Sequence, residues 1–467
     1  MPSRPKIGFA AGCMDEARDA GGTPRGAYRE LFERLGPAEL AAAAVEVRDE
    51  LADRGVVFGG TSPRPFEVDP VPRLIDGGEW ARLELGLKQR VRALNAFLTD
   101  AYDERRIVEE GVMPARVIDE AEWFEPAMAS GEDWTMPPVV AHVAGPDLVR
   151  GPDGEMRVLE DNLRAPSGLT FALAARDAML SLVEASGLAP RSLEAALGAL
   201  ERVLASAAPG DVDDPRVVLL TDGPGSGTYY EHQELSRVLG LPLAMPRELG
   251  RDGDRLLLES DGDAPIDVIY RRLDDERLTL ADGTVTPLGE LLLEPIAAGR
   301  LGCANSPGSG IGDDKAVHTY VERMIGFYLG EEVLLPSVPG WDLGDPEQLA
   351  AVLPRLGELV VKPRAEFGGR GITIGPIASA AERRQAATAV RAEPARFVAQ
   401  EPVALSVHPT VVGKGLQGRH VDLRPFVLSS DEETFVMPGG LTRFARDEGE
   451  MVVNSGQGGG AKDTWIL

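Results

Sequence analysis

The sequence predicts an α+β protein made of several packed units, and three observations support this fold class. Apolar residues recur at helical spacing in the first third of the chain, from Tyr28 onward. A buried strand, a loop of small residues and a helix follow one another from Val217 to Gly240. The last third alternates apolar and polar residues, which is typical of antiparallel strands. A chain of 467 residues is long enough for two to four such units.

The composition narrows the functional class. Lys and Arg number 48 against 75 Asp and Glu, which gives a net charge of −27. This charge argues against a nucleic-acid partner, because such proteins present basic surfaces to phosphates. Cys13 and Cys303 are too few for a disulfide framework, and the histidines are too scattered for a zinc site. No stretch has the length of a membrane span and no apolar leader follows the N-terminus, so we expect a cytoplasmic protein without a membrane partner.

Helices are predicted to dominate residues 26–135. Residues 1–25 are rich in Gly, Ala, Pro and charged residues, so we expect a flexible N-terminus. One helix is predicted from Tyr28, another over about 38–54 and a longer one from Glu79. The apolar stripe of the long helix, which is typical of core packing, consists of Trp80, Leu83, Leu87, Val91, Leu94 and Leu98. The helix also carries Arg82, Arg90 and Arg92 outside this stripe. We expect these arginines to face solvent; the alternative is that they bind a polyanion.

A β-hairpin is predicted over residues 139–164. Its turn is Pro152-Asp153-Gly154, which separates two strand-like runs. Side chains of a strand alternate between its two faces. If the second arm is regular, the residues on one of its faces are Met156, Val158, Glu160 and Asn162.

The polar residues of this hairpin suit a metal site. Glu160 and Asn162 offer two oxygen donors, only one of them charged, which suits a hard divalent cation with room for phosphate oxygens. Asp147 on the first arm is expected to face Glu160, and Arg164 to reach an anion held by the same metal. Asp161 is expected to point away and to tolerate replacement by Asn. Taken alone, however, the motif favours an ordinary exposed hairpin with scattered charges.

An α/β unit is predicted after the linker Pro209-Gly210-Asp211. The strand over 217–223 ends in a loop of small residues, an order that predicts a small-molecule site at the carboxyl end of the strand. Further strands are predicted over 267–275 and 301–304. The candidate substrate contacts are Tyr230, Glu231, His232, Arg271, Arg272, Asn305, Arg443 and residues 454–457. Structural roles, as helix caps, buried polar groups or surface charges, explain these residues at least as well.

Three elements of the last third are cationic or rich in glycine. Asp313-Asp314-Lys315 opens a predicted helix, whose N-terminus favours anions. Lys362 ends an apolar strand and precedes Gly368-Gly369-Arg370-Gly371, where glycines allow backbone N–H groups to approach phosphate oxygens. Gln400-Glu401 ends the next strand and offers groups that suit an adenine edge and a ribose. Each element alone is explained more simply by a tight turn or a surface lysine.

Together these elements resemble the ATP-grasp superfamily, in which ATP is clamped between two α+β subdomains. The shared features are a lysine after a Gly-Asp-type turn (Lys315), a lysine before a glycine-rich loop (Lys362), a hinge that ends in Glu401, a strand that reads RHVDLR over 419–424 and a hairpin arm that reads E-x-N-x-R from Glu160. In ordinary members the hairpin comes last, whereas here it precedes both lysines. The sequence therefore resembles the circularly permuted ATP-grasp family of type 2, which is related to glutathionylspermidine synthetase.

The resemblance implies a circularly permuted ATP-grasp fold with an N-terminal helical region and an α/β pre-ATP-grasp-like domain. The expected parts are a flexible N-terminus (1–25), a helical region (26–135), the metal-binding hairpin part of the ATP-grasp domain (136–208), an α/β substrate domain (209–312) and the nucleotide-binding part of the ATP-grasp domain (313–467).

The resemblance further implies an ATP- and Mg²⁺-dependent ligase. A small-molecule or peptide carboxylate would attack the γ-phosphate of ATP, and an amine would then displace phosphate from the acyl phosphate. Kinase-like phosphoryl transfer and nucleotide binding with little turnover are the alternatives. A homo-oligomer is compatible with the sequence, which does not indicate the identity of the acid or the amine.

The implied site residues fall into three groups. The metal ligands would be Asp147, Glu160 and Asn162. The catalytic residues would be Arg164, Lys315 and Lys362. The nucleotide contacts would be Lys315, Lys362, Gly368, Gly369, Gly371, Gln400, Glu401 and Arg424. Replacement of Glu160 by Gln is expected to abolish nearly all ADP formation.

Overall fold

Helices and strands alternate along the whole described chain, which confirms the α+β class. The computed structural model describes residues 12–129, 136–210, 212–274, 277–365, 371–451, 453 and 459–467. A central sheet carries the predicted hairpin, and smaller sheets and helices surround it. None of the described helices combines the length and the hydropathy needed to cross a membrane.

The central sheet joins segments from distant parts of the sequence. Its strands pair antiparallel except at one edge, where the last described strand runs parallel to Val68–Ile75. The strand Gly415–Arg424 also pairs with Val407–Val412. The strands run, in spatial order, as Val68–Ile75, Gly460–Ile466, Leu441–Phe444, Gly415–Arg424, Asp147–Arg150 and Met156–Glu160.

The predicted hairpin is present, but its second arm is not regular. Asp147 pairs with Glu160 as expected, whereas Leu148 pairs with Val158, so Leu159 has no cross-strand partner in this ladder. Such a β-bulge changes the face of the sheet to which the following side chains point. Val158 is fully buried in the core, while Glu160 lines the cavity described below. The prediction that Val158 and Glu160 share one face is therefore wrong.

A parallel sheet forms the α/β unit. The strands predicted over 217–223 and 267–275 are observed as Val217–Thr221 and Val268–Arg272, and they pair in parallel. Every residue of these two strands is buried, including Arg271 and Arg272 at the end of the second strand. The remaining strands of this sheet are Gly302–Ala304 and Leu243–Ala244.

A four-stranded antiparallel sheet in the last third carries Lys362 and Gln400. A small core of its own supports it, which includes Leu359 and Val361. Its strands are, in spatial order, Gly340–Asp342, Phe397–Gln400, Val360–Pro363 and Thr373–Ile374. The smaller sheets consist of Val57–Phe58 with Arg64–Pro65, of Leu249–Asp252, Arg255–Leu258 and Ala264–Pro265, and of Val143–Ala144, Val427–Ser429 and Thr434–Val436.

Several helices begin at capping residues that the sequence supplies. Asp76 accepts hydrogen bonds from the amides of Gly78 and Glu79 at the start of the longest helix. The longer α-helices are Tyr28–Arg34, Pro37–Asp53, Gly77–Tyr102, Leu169–Ala178, Leu180–Ser186, Ala195–Ser206, Tyr229–Leu239, Pro287–Ala297, Pro346–Val352 and Ala380–Ala392. The shorter ones are Arg106–Glu109, Ala115–Asp119, Lys315–His318 and Val321–Met324.

The helix Gly77–Tyr102 buries its apolar stripe as expected. Arg82 and Arg92 are exposed, but Arg90 is completely buried and contacts Asp161 at 2.7 Å. The prediction of a solvated face is therefore wrong for Arg90, because this residue neutralises a buried carboxylate.

The described part of the N-terminal segment, residues 12–25, packs against the central sheet. Glu16 is buried and accepts hydrogen bonds from the guanidinium of Arg73 at 2.8 and 2.6 Å. Asp15 forms a β-bridge with Val407. These contacts argue against a flexible chain at Asp15 and Glu16, and for the rest of residues 1–25 the flexible N-terminus stays a prediction; residues 1–11 lie outside the described ranges.

Replacement of Glu16 by Ala is expected to destabilise the protein by about 3 kcal/mol, because it leaves the buried guanidinium of Arg73 without its carboxylate. The midpoint of guanidinium-induced unfolding, followed by circular dichroism, measures this effect. Glu30→Ala removes the exposed pair with Arg34 and should cost less than about 1 kcal/mol. Equal midpoints for the two variants would contradict the packing of residues 12–25.

Candidate active site

A cavity of about 440 Å³ lies between the hairpin and the four-stranded sheet. Its volume is typical of a small-molecule site. Most of the predicted site residues line it, and these are Asp147, Glu160, Asn162, Arg164, Lys315, Lys362, Gln400, Glu401 and Arg424. Gly371 is not among the lining residues and lies against Pro363. Gly368 and Gly369 lie outside the described residues.

Glu160 and Asn162 present oxygen atoms to the cavity. The amide nitrogen of Asn162 donates to the carbonyl of Gly145 at 3.0 Å, which leaves the amide oxygen without a partner in the described structure. The carboxylate of Glu160 accepts no hydrogen bond from any described residue, although its charge acts on Lys362. A carboxylate and an amide oxygen without protein partners form a donor set that a hard cation prefers.

Asp147 faces Glu160 but is already neutralised by arginine. Arg424 donates to both carboxylate oxygens of Asp147 at 2.7 Å, and Arg443 donates to one of them at 2.7 Å. Burial alone would raise the pKa of Asp147, but these guanidinium groups hold it well below its usual value. Arg443 also donates to Asp422 at 2.6 Å. A cation must therefore compete with two arginines for Asp147.

Two lysines from separate elements line the same cavity. Lys362, on the strand Val360–Pro363, donates to the amide oxygen of Gln400 at 2.6 Å. Burial lowers the pKa of Lys362 to about 8, an effect that Glu160 opposes and Lys315 strengthens. A buried lysine beside a second lysine favours the binding of an anion, because the anion stabilises both positive charges.

The turn before Lys315 connects three parts of the site. Asp313 accepts hydrogen bonds from the amide of Leu163 at 2.5 Å and from the next amide at 3.1 Å. Asp314 is buried and pairs with Arg364 at 3.0 Å. The helix that begins at Lys315 has only four residues, so the lysine charge rather than a helix dipole would attract an anion.

Arg164 lies over the indole ring of Trp123, with 3.9 Å between its guanidinium carbon and the ring centroid. It also donates to the carbonyl of Asp274 at 2.8 Å. Arg277 lies 4.8 Å from the centroid of the same ring. The stacking orients the guanidinium of Arg164 at the edge of the cavity, where its planar fork suits an oxyanion.

Part of the cavity wall is apolar and suits a planar base. The amide nitrogen of Gln400 donates to the carbonyl of Leu159 at 3.2 Å, and Glu401 pairs with Arg355 at 2.8 Å. Both side chains therefore bind protein groups, and their contacts with adenine and ribose stay predictions. The apolar lining residues are Val149, Leu159, Val360, Ile372, Ile374, Val403, Leu405, Met451 and Val453.

The candidate substrate contacts of the α/β unit have structural partners. Glu231 accepts hydrogen bonds from the amides of Gly168 and Thr170 and pairs with Arg272 at 2.7 Å. It thereby caps the helix Leu169–Ala178. Arg443 lines the cavity, whereas the following candidates do not: Tyr230, Glu231, His232, Arg271, Arg272 and Asn305. Residues 454–457 lie outside the described ranges.

Asp422, Arg364 and Trp123 are among the cavity-lining residues that were not predicted as site residues. Asp422 alternates with Arg424 along its strand, and Arg364 follows Lys362 by two residues, so strand alternation was a signal for both. Trp123 has no spacing relation to any recognised motif, and only the structure reveals its contact with Arg164.

A sequence model of the circularly permuted ATP-grasp type 2 family matches residues 72–445 of the chain. This chain belongs to the circularly permuted ATP-grasp type 2 family. A protein of Synechocystis is 40% identical over 473 residues, which cover 97% of this chain and 96% of that protein. Frankia alni has a putative glutamate–cysteine ligase 2-3 that is 43% identical over 97% of this chain.

The chain spans about half of that Frankia protein, since the match covers 53% of its length. The solved structure of a glutathione synthetase-like effector from Globodera pallida matches 92% of this chain, with a TM-score of 0.59 and 12% identity. That effector is 98% covered by the match, which supports the circularly permuted ATP-grasp fold. ATP-grasp ligases as a class use ATP and Mg²⁺.

The donor set fits a magnesium ion only in part. In the described ranges, no three His, Cys, Asp or Glu side chains converge as metal ligands. A cation held by Glu160 and Asn162 would therefore rely on water or phosphate oxygens as well, which is usual for Mg²⁺. Asp147 would join the ligands if Arg424 and Arg443 released one of its oxygens.

The affinity for ADP is expected to fall as the pH rises above about 8. Lys362 is cationic below its pKa of about 8 and loses its charge above it. Of the charged groups nearby, Glu160 and Asp147 favour the cation and Lys315 disfavours it. Calorimetric titration of ADP between pH 7 and 9.5 measures the effect.

Lys362→Met should weaken ADP binding at pH 7 and flatten this pH profile. Lys414→Met, at an exposed turn, should leave the profile unchanged. A wild-type affinity that is constant across the range would refute the role of Lys362.

Proposed function

We propose that this protein is an ATP-dependent ligase that couples a carboxylate to an amine and releases ADP and phosphate. The observation that carries the proposal is the carboxylate of Glu160, which has no hydrogen-bond partner among the described residues and shares one cavity with Lys315 and Lys362. A carboxylate able to take a metal and two cations able to neutralise phosphate are the groups that phosphoryl transfer requires.

The proposed reaction has two balanced steps. An oxygen of the substrate carboxylate attacks the γ-phosphorus of ATP, the bond to the β–γ bridging oxygen breaks, and ADP leaves. The amine nitrogen then attacks the acyl carbon, the bond to the phosphate oxygen breaks, and the nitrogen loses a proton. Mg²⁺, when bound, would neutralise charge on the β- and γ-phosphates.

The side chains support distinct parts of this chemistry. Lys362 and Lys315 would bind phosphate oxygens, which lowers the cost of bringing a carboxylate to the γ-phosphate. Arg164, oriented by Trp123, would stabilise negative charge on the transferring phosphoryl group or on the tetrahedral intermediate. Glu160, Asn162 and Asp147 would hold the metal. We extend the proposal to a cytoplasmic enzyme that acts on a small molecule or a peptide terminus.

A screen for ADP release across acids and amines tests the reaction. Glutamate and cysteine belong in the screen because the Frankia relative bears that name. Sustained ADP release is expected only when an acid and an amine are both present, and the amide should appear in equal amount. Sustained release with one substrate and a stable phosphorylated product would identify kinase-like transfer instead. Nucleotide binding without turnover would contradict the ligase.

Glu160→Gln is expected to reduce ADP release at least a hundredfold, because the neutral amide binds a hard cation weakly. Glu155→Gln, at the exposed turn of the same hairpin, is the matched control and should keep wild-type activity. Circular dichroism should show both variants folded. Full activity of Glu160→Gln would refute the metal assignment.

A further inference from the structure

Asp161 lies between the two proposed metal ligands in sequence, yet its side chain is completely buried. Arg90 donates to the two carboxylate oxygens of Asp161 from Nε and Nη2, each at 2.7 Å. Arg90 also donates to the hydroxyl of Ser337 at 3.0 Å. The expectation that Asp161 tolerates replacement by Asn is therefore wrong, because Asn would leave the buried guanidinium without its counter-charge.

His318 connects this ion pair to the phosphate-binding lysine. Nδ1 of His318 lies 2.8 Å from a carboxylate oxygen of Asp161. His318 ends the four-residue helix that begins with Lys315. The hydrogen bond therefore joins the arm that carries Glu160 and Asn162 to the helix that carries Lys315.

The neighbours of His318 determine which nitrogen of its imidazole carries the proton. Nδ1 of His318 lies 2.8 Å from a carboxylate oxygen of Asp161 and 3.2 Å from Nη2 of Arg90. A carboxylate only accepts hydrogen bonds and a guanidinium only donates them, so the shorter contact, with Asp161, places the proton on Nδ1. Burial, with the positive charges of Arg90 and Lys362, lowers the pKa of His318 although Asp161 raises it, which favours the neutral ring. Nε2 then carries no proton and has no partner in the described structure. His318 thus acts through one donor, which is Nδ1–H.

A second contact joins the same two elements. Asp313 accepts hydrogen bonds from the amides of Leu163 and Arg164, at 2.5 and 3.1 Å. These amides follow the metal-binding pair along the arm, and Asp313 precedes Lys315 by two residues. The arm and the helix are therefore held at both sides of Asn162.

We propose that Asp161 and His318 are positioning residues that hold Glu160 and Asn162 at a fixed separation from Lys315. Neither side chain would touch substrate or metal. Outer partners of metal ligands commonly change metal affinity tenfold to a hundredfold when they are removed. The inference rests on the proposed function, because it assumes that a metal–nucleotide complex occupies the cavity.

Two substitutions of His318 separate positioning from packing. In His318→Asn the amide nitrogen takes the position of Nδ1 and still donates to Asp161. In His318→Gln the amide reaches the position of Nε2 and this hydrogen bond is lost. The measurement is the dissociation constant of ADP, by calorimetry, in Mg²⁺ and separately in EDTA.

For His318→Gln, the dissociation constant in Mg²⁺ is expected to rise about tenfold, with little change in EDTA. His318→Asn should stay within about twofold of the wild type in both conditions. Equal losses in the two variants, an equal loss in EDTA, or no loss in His318→Gln would each overturn the positioning role. If the wild type binds no ADP with Mg²⁺, the proposed function itself fails.

A milder variant covers the case in which His318→Gln does not fold. Ser337→Ala removes only the outer hydrogen bond of Arg90. Its dissociation constant in Mg²⁺ is expected to rise two- to threefold, with the EDTA value unchanged. Wild-type affinity in both conditions would then count against the inference.

Discussion

The neutralisation of buried carboxylates by arginine is the constraint on which this structure depends. A buried carboxylate without a counter-charge costs several kcal/mol, so each arginine fixes the element that carries its partner. The pairs around the cavity include Asp147–Arg424, Asp161–Arg90 and Asp314–Arg364, and Arg443 pairs with both Asp147 and Asp422. They join the helix Gly77–Tyr102, the hairpin, the strand Gly415–Arg424, the turn before Lys315 and the residue that follows the strand Val360–Pro363. Glu160 belongs to none of these pairs and lines the cavity.

The pairing of strands and charges explains how the same site can form although the segments follow a permuted order along the chain. The hairpin precedes the lysine-bearing elements in the sequence, yet the strand Asp147–Arg150 pairs antiparallel with Gly415–Arg424. Strand pairing and ion pairing depend on proximity and direction, not on the order of segments along the chain. The contacts of Asp161 with Arg90 and His318 connect elements from the first, second and last thirds of the chain in the same way.

Much of the fold and part of the site could be predicted from the sequence. The hairpin, the parallel strands and the cationic elements follow from local patterns, because turns, alternation and glycine spacing are local properties. The bulge at Leu159 could not be predicted, since it arises from pairing between distant strands. The burial of Arg90 and Glu16 was also missed, because a charged residue on a helix or near a terminus gives no sign of a distant partner. The contact of Trp123 with Arg164 at the cavity could not be predicted for the same reason, since the two residues are distant in sequence.

We propose that Glu160 and Asn162 hold a metal beside the phosphates of a nucleotide. A crystal structure of the protein with ADP and Mn²⁺ tests this claim most directly, because anomalous scattering locates the ion. We expect the ion at about 2.2 Å from oxygens of both side chains and in contact with the β-phosphate, with Lys362 also on a phosphate oxygen. A nucleotide bound in the cavity with its ion away from Glu160, or bound elsewhere, would rule out this metal site.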